Sequence, residues 1–254
     1  MKKVICVVLS VLLAVSCLAG LSGCGSSEKT TLYVYNWGQY ISEGDDGSLD
    51  VIAAFEEAYP NIRVQYSTYD SNEIMYSKLA NGGITVDVII PSDYMIGRMV
   101  QEGMLEELNF DNIPNYQYID DAFKNTSYDP ENKYSVPYTW GTVGIIYNTK
   151  YVDEADVTGW ELLWNEKYAG KILMFDNSRD AIGIGLKMLG YSYNTTDEAQ
   201  IKEAVDLLVE QKPLVQAYVM DEIFDKMIGS EAAVGVYYSG DAITMIDDNP
   251  DLAW

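Results

Sequence analysis

Four short stretches of the chain set aromatic rings beside carboxylates or small polar groups: Asn36-Trp37-Gly38-Gln39-Tyr40, Pro91-Ser92-Asp93-Tyr94, Asp176-Asn177-Ser178-Arg179-Asp180 and Tyr237-Tyr238-Ser239-Gly240-Asp241. Rings and acids together suit an alkyl ammonium. Methylenes lie on ring faces, an ammonium over a ring gains roughly 0.5 to 2 kcal/mol, and a buried cation needs a carboxylate because an unpaired ion is costly to desolvate. An anion site would instead offer arginines or bare helix amino termini, and Asp180 at the start of a helix opposes that. Each residue also has a plainer reading. Trp37 and Tyr40 suit core rings at a strand end, Ser92 a helix cap, and Asp180 and Asp241 acids that favour the helix dipole.

Composition narrows the chemistry further. The 254 residues contain no histidine, which removes Ser-His and Cys-His nucleophile pairs, histidine metal sites and the commonest general base. No metal site and no cofactor are expected. The formal charge of −23 makes nucleic acid a poor partner, while a negative field raises the encounter rate of cationic solutes. With 21 tyrosines against 5 phenylalanines, the chain favours rings that carry a polar handle.

The elements that must position these residues alternate. Thr31 to Asn36 reads as a strand, Ser48 to Ala58 as a helix with Leu49, Ile52, Ala53 and Phe55 on its apolar face, and Ile62 to Thr68 as an alternating strand. Ser71 or Asn72 caps a helix to Ala80, Val86 to Ile90 reads as a buried parallel strand, and Pro91-Ser92-Asp93 opens a helix to about Glu102. A turn at Asp129 to Asn132 precedes Tyr134 to Tyr138 and a Gly-dotted stretch from Thr139 to Asn148. Then come a short helix from Trp160 to Tyr168, a strand from Lys171 to Phe175 and a helix from Arg179 to Leu189. Thr195 and Glu198 have capping-box spacing for the helix that runs to Gln211. Strands from Leu214 to Val219 and Ala232 to Tyr238 follow, with a helix between them. The order predicts an α/β fold of doubly wound lobes, with ligands gathered beyond the carboxyl ends of the strands. The expected organisation is a first lobe over residues 31–138 and a crossover with the second lobe over 139–254. The strand that opens at Leu252-Ala253-Trp254 suggests a chain incomplete at its carboxyl end.

At the amino end, Met1-Lys2-Lys3 and the apolar run Val4 to Ala19 form a secretory signal. Leu21-Ser22-Gly23-Cys24 has the order of a lipobox, so cleavage is expected after residue 23, with Cys24 lipidated and residues 24–30 a polar tether. Two acyl chains would anchor a monomer to the outer face of the cell membrane. Cys6 and Cys17 leave with the signal.

Five motifs resemble those of the spermidine/putrescine-binding proteins of polyamine ABC importers: Tyr35-Asn36-Trp37-Gly38-Gln39-Tyr40, Tyr66 to Glu73, Pro91-Ser92-Asp93-Tyr94, Tyr134 to Gly141 and Leu189-Gly190-Tyr191-Ser192. The resemblance runs in register from Thr31 to Trp254. It implies a two-lobed type II periplasmic-binding-protein fold, a polyamine ligand in the interlobe cleft and an ABC permease as partner. It further implies Trp37 and Tyr40 as ring contacts, Ser92 and Tyr94 as further contacts, and Asp180 as an acid for an amine. Tyr238 stands where relatives often carry tryptophan, and Asn177 where some carry a second acid. An aromatic-plus-Asp motif of the family would lie beyond Trp254. Two other functions compete. Tyr237-Tyr238 is similar to the paired tyrosines of ferric-iron receptors, whose phenolates suit a hard cation, and a surface glycosidase would need two acids at a set separation.

Overall fold

The computed structural model describes residues 29–254. Residues 1–28, which hold the signal, the lipobox and Cys24, lie outside the described residues. The chain divides into two compact units. The first takes the residues up to Tyr35 with Gln39–Ser67 and Thr85–Ile89, and the second takes Asn36–Gly38, Thr68–Ile84 and Ile90–Trp254.

The first unit is built on strands β1 (Thr30–Trp37), β2 (Ile62–Tyr69) and β3 (Val88–Ile89), in the order β2-β1-β3. β1 and β3 run parallel, with Val34 opposite Val88 and Tyr35 opposite Ile89. Asp87 pins this edge, because its carboxylate accepts from the Tyr33 amide at 2.8 Å while its own amide donates to the Tyr33 carbonyl at 2.9 Å. The buried strand expected from Val86 to Ile90 shrinks to two residues, and Val88 is 43% exposed. Its apolar run suits a covered strand, but β3 stands at the sheet edge with a single neighbour. Helix α1 (Val51–Ala58) starts later than the spacing predicted. Asp50 caps it by accepting from the Ala53 amide at 2.8 Å, which leaves Leu49 ahead of the helix and 65% exposed.

Helices α2 (Asn72–Ala80) and α3 (Asp93–Gln101) belong to the second unit. Ser71 caps α2 by accepting from the Ile74 amide at 3.2 Å. Met95 and Met99, one turn apart, bury one face of α3, and Gly103 ends that segment at φ 67°, where only a glycine sits without strain. Ser92 occupies the N-cap of α3, yet its side chain makes no capping bond.

The larger sheet has the order β6-β5-β7-β4-β8, formed by β4 (Val143–Asn148), β5 (Ile172–Phe175), β6 (Val215–Val219), β7 (Val234–Tyr238) and β8 (Leu252–Ala253). β5 runs parallel to β6 and β7, whereas β4 is antiparallel to β7 and β8. The expected parallel centre is therefore present, extended by an antiparallel margin. All four residues of β5 are buried, as its unbroken apolar sequence requires for an inner parallel strand.

Four helices accompany this sheet: α4 (Ser178–Met188), α5 (Glu198–Gln211), α6 (Glu222–Ile228) and α7 (Ser239–Asp248). The predicted capping box of α5 does not form. Asp197 is the N-cap and accepts from the Ala199 amide at 2.9 Å, while the Thr195 hydroxyl turns to Gln200 at 2.7 Å. An acid one residue ahead of the helix reaches its free amides more directly than a threonine two residues further back. The helix expected from Trp160 to Tyr168 is split into 3-10 turns, Trp160–Trp164 and Glu166–Tyr168, because Asn165 caps the second by accepting from the Lys167 amide at 3.0 Å. Among the described residues, no helix is long and apolar enough to cross a membrane.

Candidate functional site

β5 and β7 are parallel neighbours, so their carboxyl ends share one edge of the sheet. At that edge β5 leads into Asn177, the N-cap of α4, whose carbonyl oxygen accepts from the amides of Arg179 at 3.0 Å and Asp180 at 3.4 Å. The amide nitrogen of the same side chain donates to Asp180 Oδ2 at 2.8 Å. A carboxylate at position 177 could cap the helix but could not donate, and it would repel Asp180. Tyr238, the last residue of β7, donates its hydroxyl to the same Oδ2 at 2.6 Å. From the loop between α4 and α5, the Tyr193 hydroxyl donates to Asp180 Oδ1.

Asp180 is thus held by three neutral donors from three places in the chain. Because none of the three donors is charged, they fix the orientation of the group without forming an ion pair with it. Burial pushes the Tyr193 phenol up, and the adjacent Asp180 charge and their hydrogen bond push it further, which keeps the hydroxyl a donor.

Beside this cluster, the buried Asn72 links the starts of α2 and α3. Its nitrogen donates to the Tyr94 hydroxyl at 2.9 Å, and its oxygen accepts from the Ser92 amide at 3.1 Å. Tyr94 in turn donates to Glu73 Oε1 at 2.9 Å. Burial raises the Tyr94 phenol, the bond from Asn72 opposes this, and the charges of Glu73 and Asp180 add to the rise. The Arg179 guanidinium carbon lies 4.9 Å from the centre of the Tyr193 ring and 5.9 Å from that of Tyr94. A pocket of about 240 Å³ opens beside Tyr94 and Arg179, with Glu73, Tyr94 and Arg179 as polar lining and Ile182, Leu186 and Ile201 as apolar lining; Asp180, Tyr193 and Tyr238 are not among its lining residues.

The sequence-derived candidates therefore fall into separate environments. Asp180, Tyr238 and Tyr94 share one electrostatic neighbourhood, and Ser92 joins it through its backbone amide rather than its hydroxyl. Trp37 is only 8% exposed and packs on Tyr69, with ring centroids 4.8 Å apart. Tyr40 lies in the first unit and is 39% exposed.

The rings of Tyr237 and Tyr238 lie together, their centroids 5.0 Å apart, but their hydroxyls go to different acids. Tyr237 donates to Asp221 at 2.9 Å, whereas Tyr238 donates to Asp180. Burial and then the Asp221 charge hold the Tyr237 phenol far above its ordinary value. Two phenols that each serve a different carboxylate do not converge on one hard cation. Asp241, in the first turn of α7, is pushed up to about 6 by burial and by the Asp221 charge. Among the described residues, no group of three or more acids or cysteines is arranged to hold a metal ion.

The sequence assigned no binding role to Tyr193, Asn72, Glu73 or Arg179. One signal pointed toward Tyr193: Gly183 and Gly185 stand inside a helical pattern, where glycine costs stability unless something packs on it. A methyl group built at Gly183 would overlap Cδ2, Cε2 and Cζ of the Tyr193 ring.

Comparison with known proteins fits this geometry. The family described as "Bacterial extracellular solute-binding protein" matches residues 50–253. The spermidine/putrescine-binding periplasmic protein of Escherichia coli K12 is 36% identical over 233 residues, covering 91% of this chain and 65% of the relative. The chain thus spans about 65% of the length of the curated relatives that it matches. Among solved structures, the spermidine/putrescine ABC transporter substrate-binding protein PotD of Streptococcus pneumoniae superposes with a TM-score of 0.68 at 43% identity, covering 89% of this chain and 67% of that one. The Tp0655 (TpPotD) lipoprotein of Treponema pallidum gives 0.76 at 28% identity, with 88% and 69% covered. The mixed α/β architecture, with sheets flanked by helices, is that of these two-lobed binding proteins.

Proposed function

We infer a receptor from family membership, since the chain belongs to the bacterial extracellular solute-binding proteins: it captures a polyamine, putrescine or spermidine, and delivers it to an ABC importer without changing it chemically. One observation carries this reading. The Asp180 carboxylate is oriented by three uncharged donors that come from a helix cap, a strand end and a loop. A carboxylate oriented by neutral donors suits a cationic solute, because an ammonium set against it forms the ion pair that a partly desolvated charge favours. Tyr94 and Tyr238 are ring types that suit methylenes and ammonium groups, and Glu73 supplies a second acid close to Tyr94. The names of the similar proteins support the choice of polyamine over other organic cations.

Trp37, Tyr40 and Ser92 belong to the proposal as further ligand contacts. So do a lobe boundary at residues 138–139, an extracytoplasmic location and a lipid anchor on Cys24, the last favoured by the lipobox order of residues 21–24. Incorporation of labelled palmitate that disappears in Cys24→Ser checks the anchor. Titration calorimetry of the protein with putrescine, spermidine and a panel of amino acids checks the receptor. Saturable heat from at least one polyamine and none from the amino acids is expected, and silence from both polyamines would refute the reading.

A further inference from the structure

Of the three donors that hold Asp180, two come from the elements that frame the site, Asn177 at the N-cap of α4 and Tyr238 at the end of β7. They converge on Oδ2 and leave Oδ1 to be held from elsewhere. The third, Tyr193, comes from a loop and alone takes Oδ1. A loop residue can act as a fixed donor only if its ring is seated. The seat is Gly183, one turn along α4 from Arg179 and Asp180, whose missing side chain leaves the space filled by the ring edge. Glycine inside a helix forfeits about 1 kcal/mol relative to alanine, and the ring contact accounts for its presence here. The far side of the arrangement is also held: the Arg179 guanidinium covers the Tyr193 ring at 4.9 Å and is itself tethered to Asn194 at 2.7 Å.

We propose that Tyr193, seated on the bare backbone of Gly183, is a positioning residue that fixes the second oxygen of Asp180 and so aims the carboxylate at the cation of the bound solute. The inference rests on the receptor reading and adds to it a specific source of pre-organisation. Rigid presentation raises affinity by removing the ordering cost of binding.

Calorimetry with putrescine and spermidine on the wild type, Tyr193→Phe, Gly183→Ala, their double variant and Gly185→Ala tests it. Tyr193→Phe keeps the ring and removes only the hydroxyl, and it is expected to raise Kd about tenfold, as loss of one hydrogen bond to a charged group does. Gly183→Ala keeps the hydroxyl but unseats the ring, and should have a similar effect. In the double variant the losses should not add, since the seat has no value once the hydroxyl is gone. Gly185→Ala would press on the Ala204 carbonyl at 3.0 Å, so it is expected to lower the thermal midpoint while binding as the wild type does. If Tyr193→Phe binds like the wild type, or the two losses add in full, the positioning role is overturned and the receptor reading stands. If the wild type itself binds neither polyamine, the receptor reading falls and the positioning role falls with it.

Discussion

Asp129 and Asp180 are two enclosed carboxylates held in opposite ways. Asp129 is 3% exposed and accepts four hydrogen bonds at 2.9 Å, from the amides of Lys133, Tyr134 and Ser135 and from the Ser135 hydroxyl. All four donors lie within six residues, so the group ties one loop to itself and its lone pairs are spent. Asp180 instead takes side-chain donors from a helix cap, a strand end and a distant loop. Local backbone donors tie Asp129 into one loop, whereas the donors of Asp180 converge from separate segments.

Substitution at the two acids should separate these roles. The largest effect is expected from Asp180→Asn, which removes the charge a bound ammonium would face and should weaken polyamine binding about 100-fold. The thermal midpoint without ligand should barely move, and a collapse of that midpoint would make Asp180 a structural acid like Asp129.

Asp129→Ala should do the reverse. It strands three backbone amides and is expected to cost about 3 kcal/mol of stability in urea unfolding at neutral pH, while the folded protein binds its solute as before. Burial alone would raise the Asp129 carboxyl, but the bonds from Lys133, Tyr134 and Ser135 outweigh it and hold the group below the ordinary carboxylate range. Its contribution is therefore complete above the unfolded pKa and fades as pH drops through the depressed folded value. The gap between wild type and Asp129→Ala should close on acidification.

Asp241 gives the opposite sign. Its carboxyl is raised from 3.8 to about 6, so the folded protein holds this proton longer than the unfolded chain does, and ionising it costs stability as pH climbs between about 4 and 6. Asp241→Asn should therefore stabilise the protein by about 2 kcal/mol above that window and by nothing below it, as read from thermal midpoints at pH 4 and 7.5. Ser71→Ala should have the smallest effect. It removes the cap of the helix that carries Asn72 and Glu73 and should cost about 1 kcal/mol by urea unfolding, with a much smaller change at Asp180.

The alternation of strands and helices was legible because hydrophobic period reports which faces are covered. The helix start at Ser71 or Asn72, where the structure makes Ser71 the cap, and the helix start beside Asp180 followed from local side-chain chemistry. What escaped depends on neighbours that no single segment specifies. Val88 reads as a buried residue, but only the strand order β2-β1-β3 reveals that it stands at an edge. Thr195 and Glu198 have capping-box spacing, yet Asp197 competes for the same amides and takes the cap. At the site, Asp180 and Tyr238 stand out as strand-end residues, whereas Tyr193 sits in a loop without periodicity and meets Asp180 only after the chain turns back over Gly183. Tyr237 and Tyr238 look like a pair in the sequence and their rings do meet, but their hydroxyls go to different acids.

Equilibrium dialysis of labelled spermidine and putrescine against wild type, Asp180→Asn and Asp129→Asn, side by side at neutral pH, probes the contrast most directly. Retention of at least one polyamine by the wild type and by folded Asp129→Asn, with near-complete loss in Asp180→Asn, is the expected pattern. Equal retention by the two variants, or none by the wild type, would contradict it.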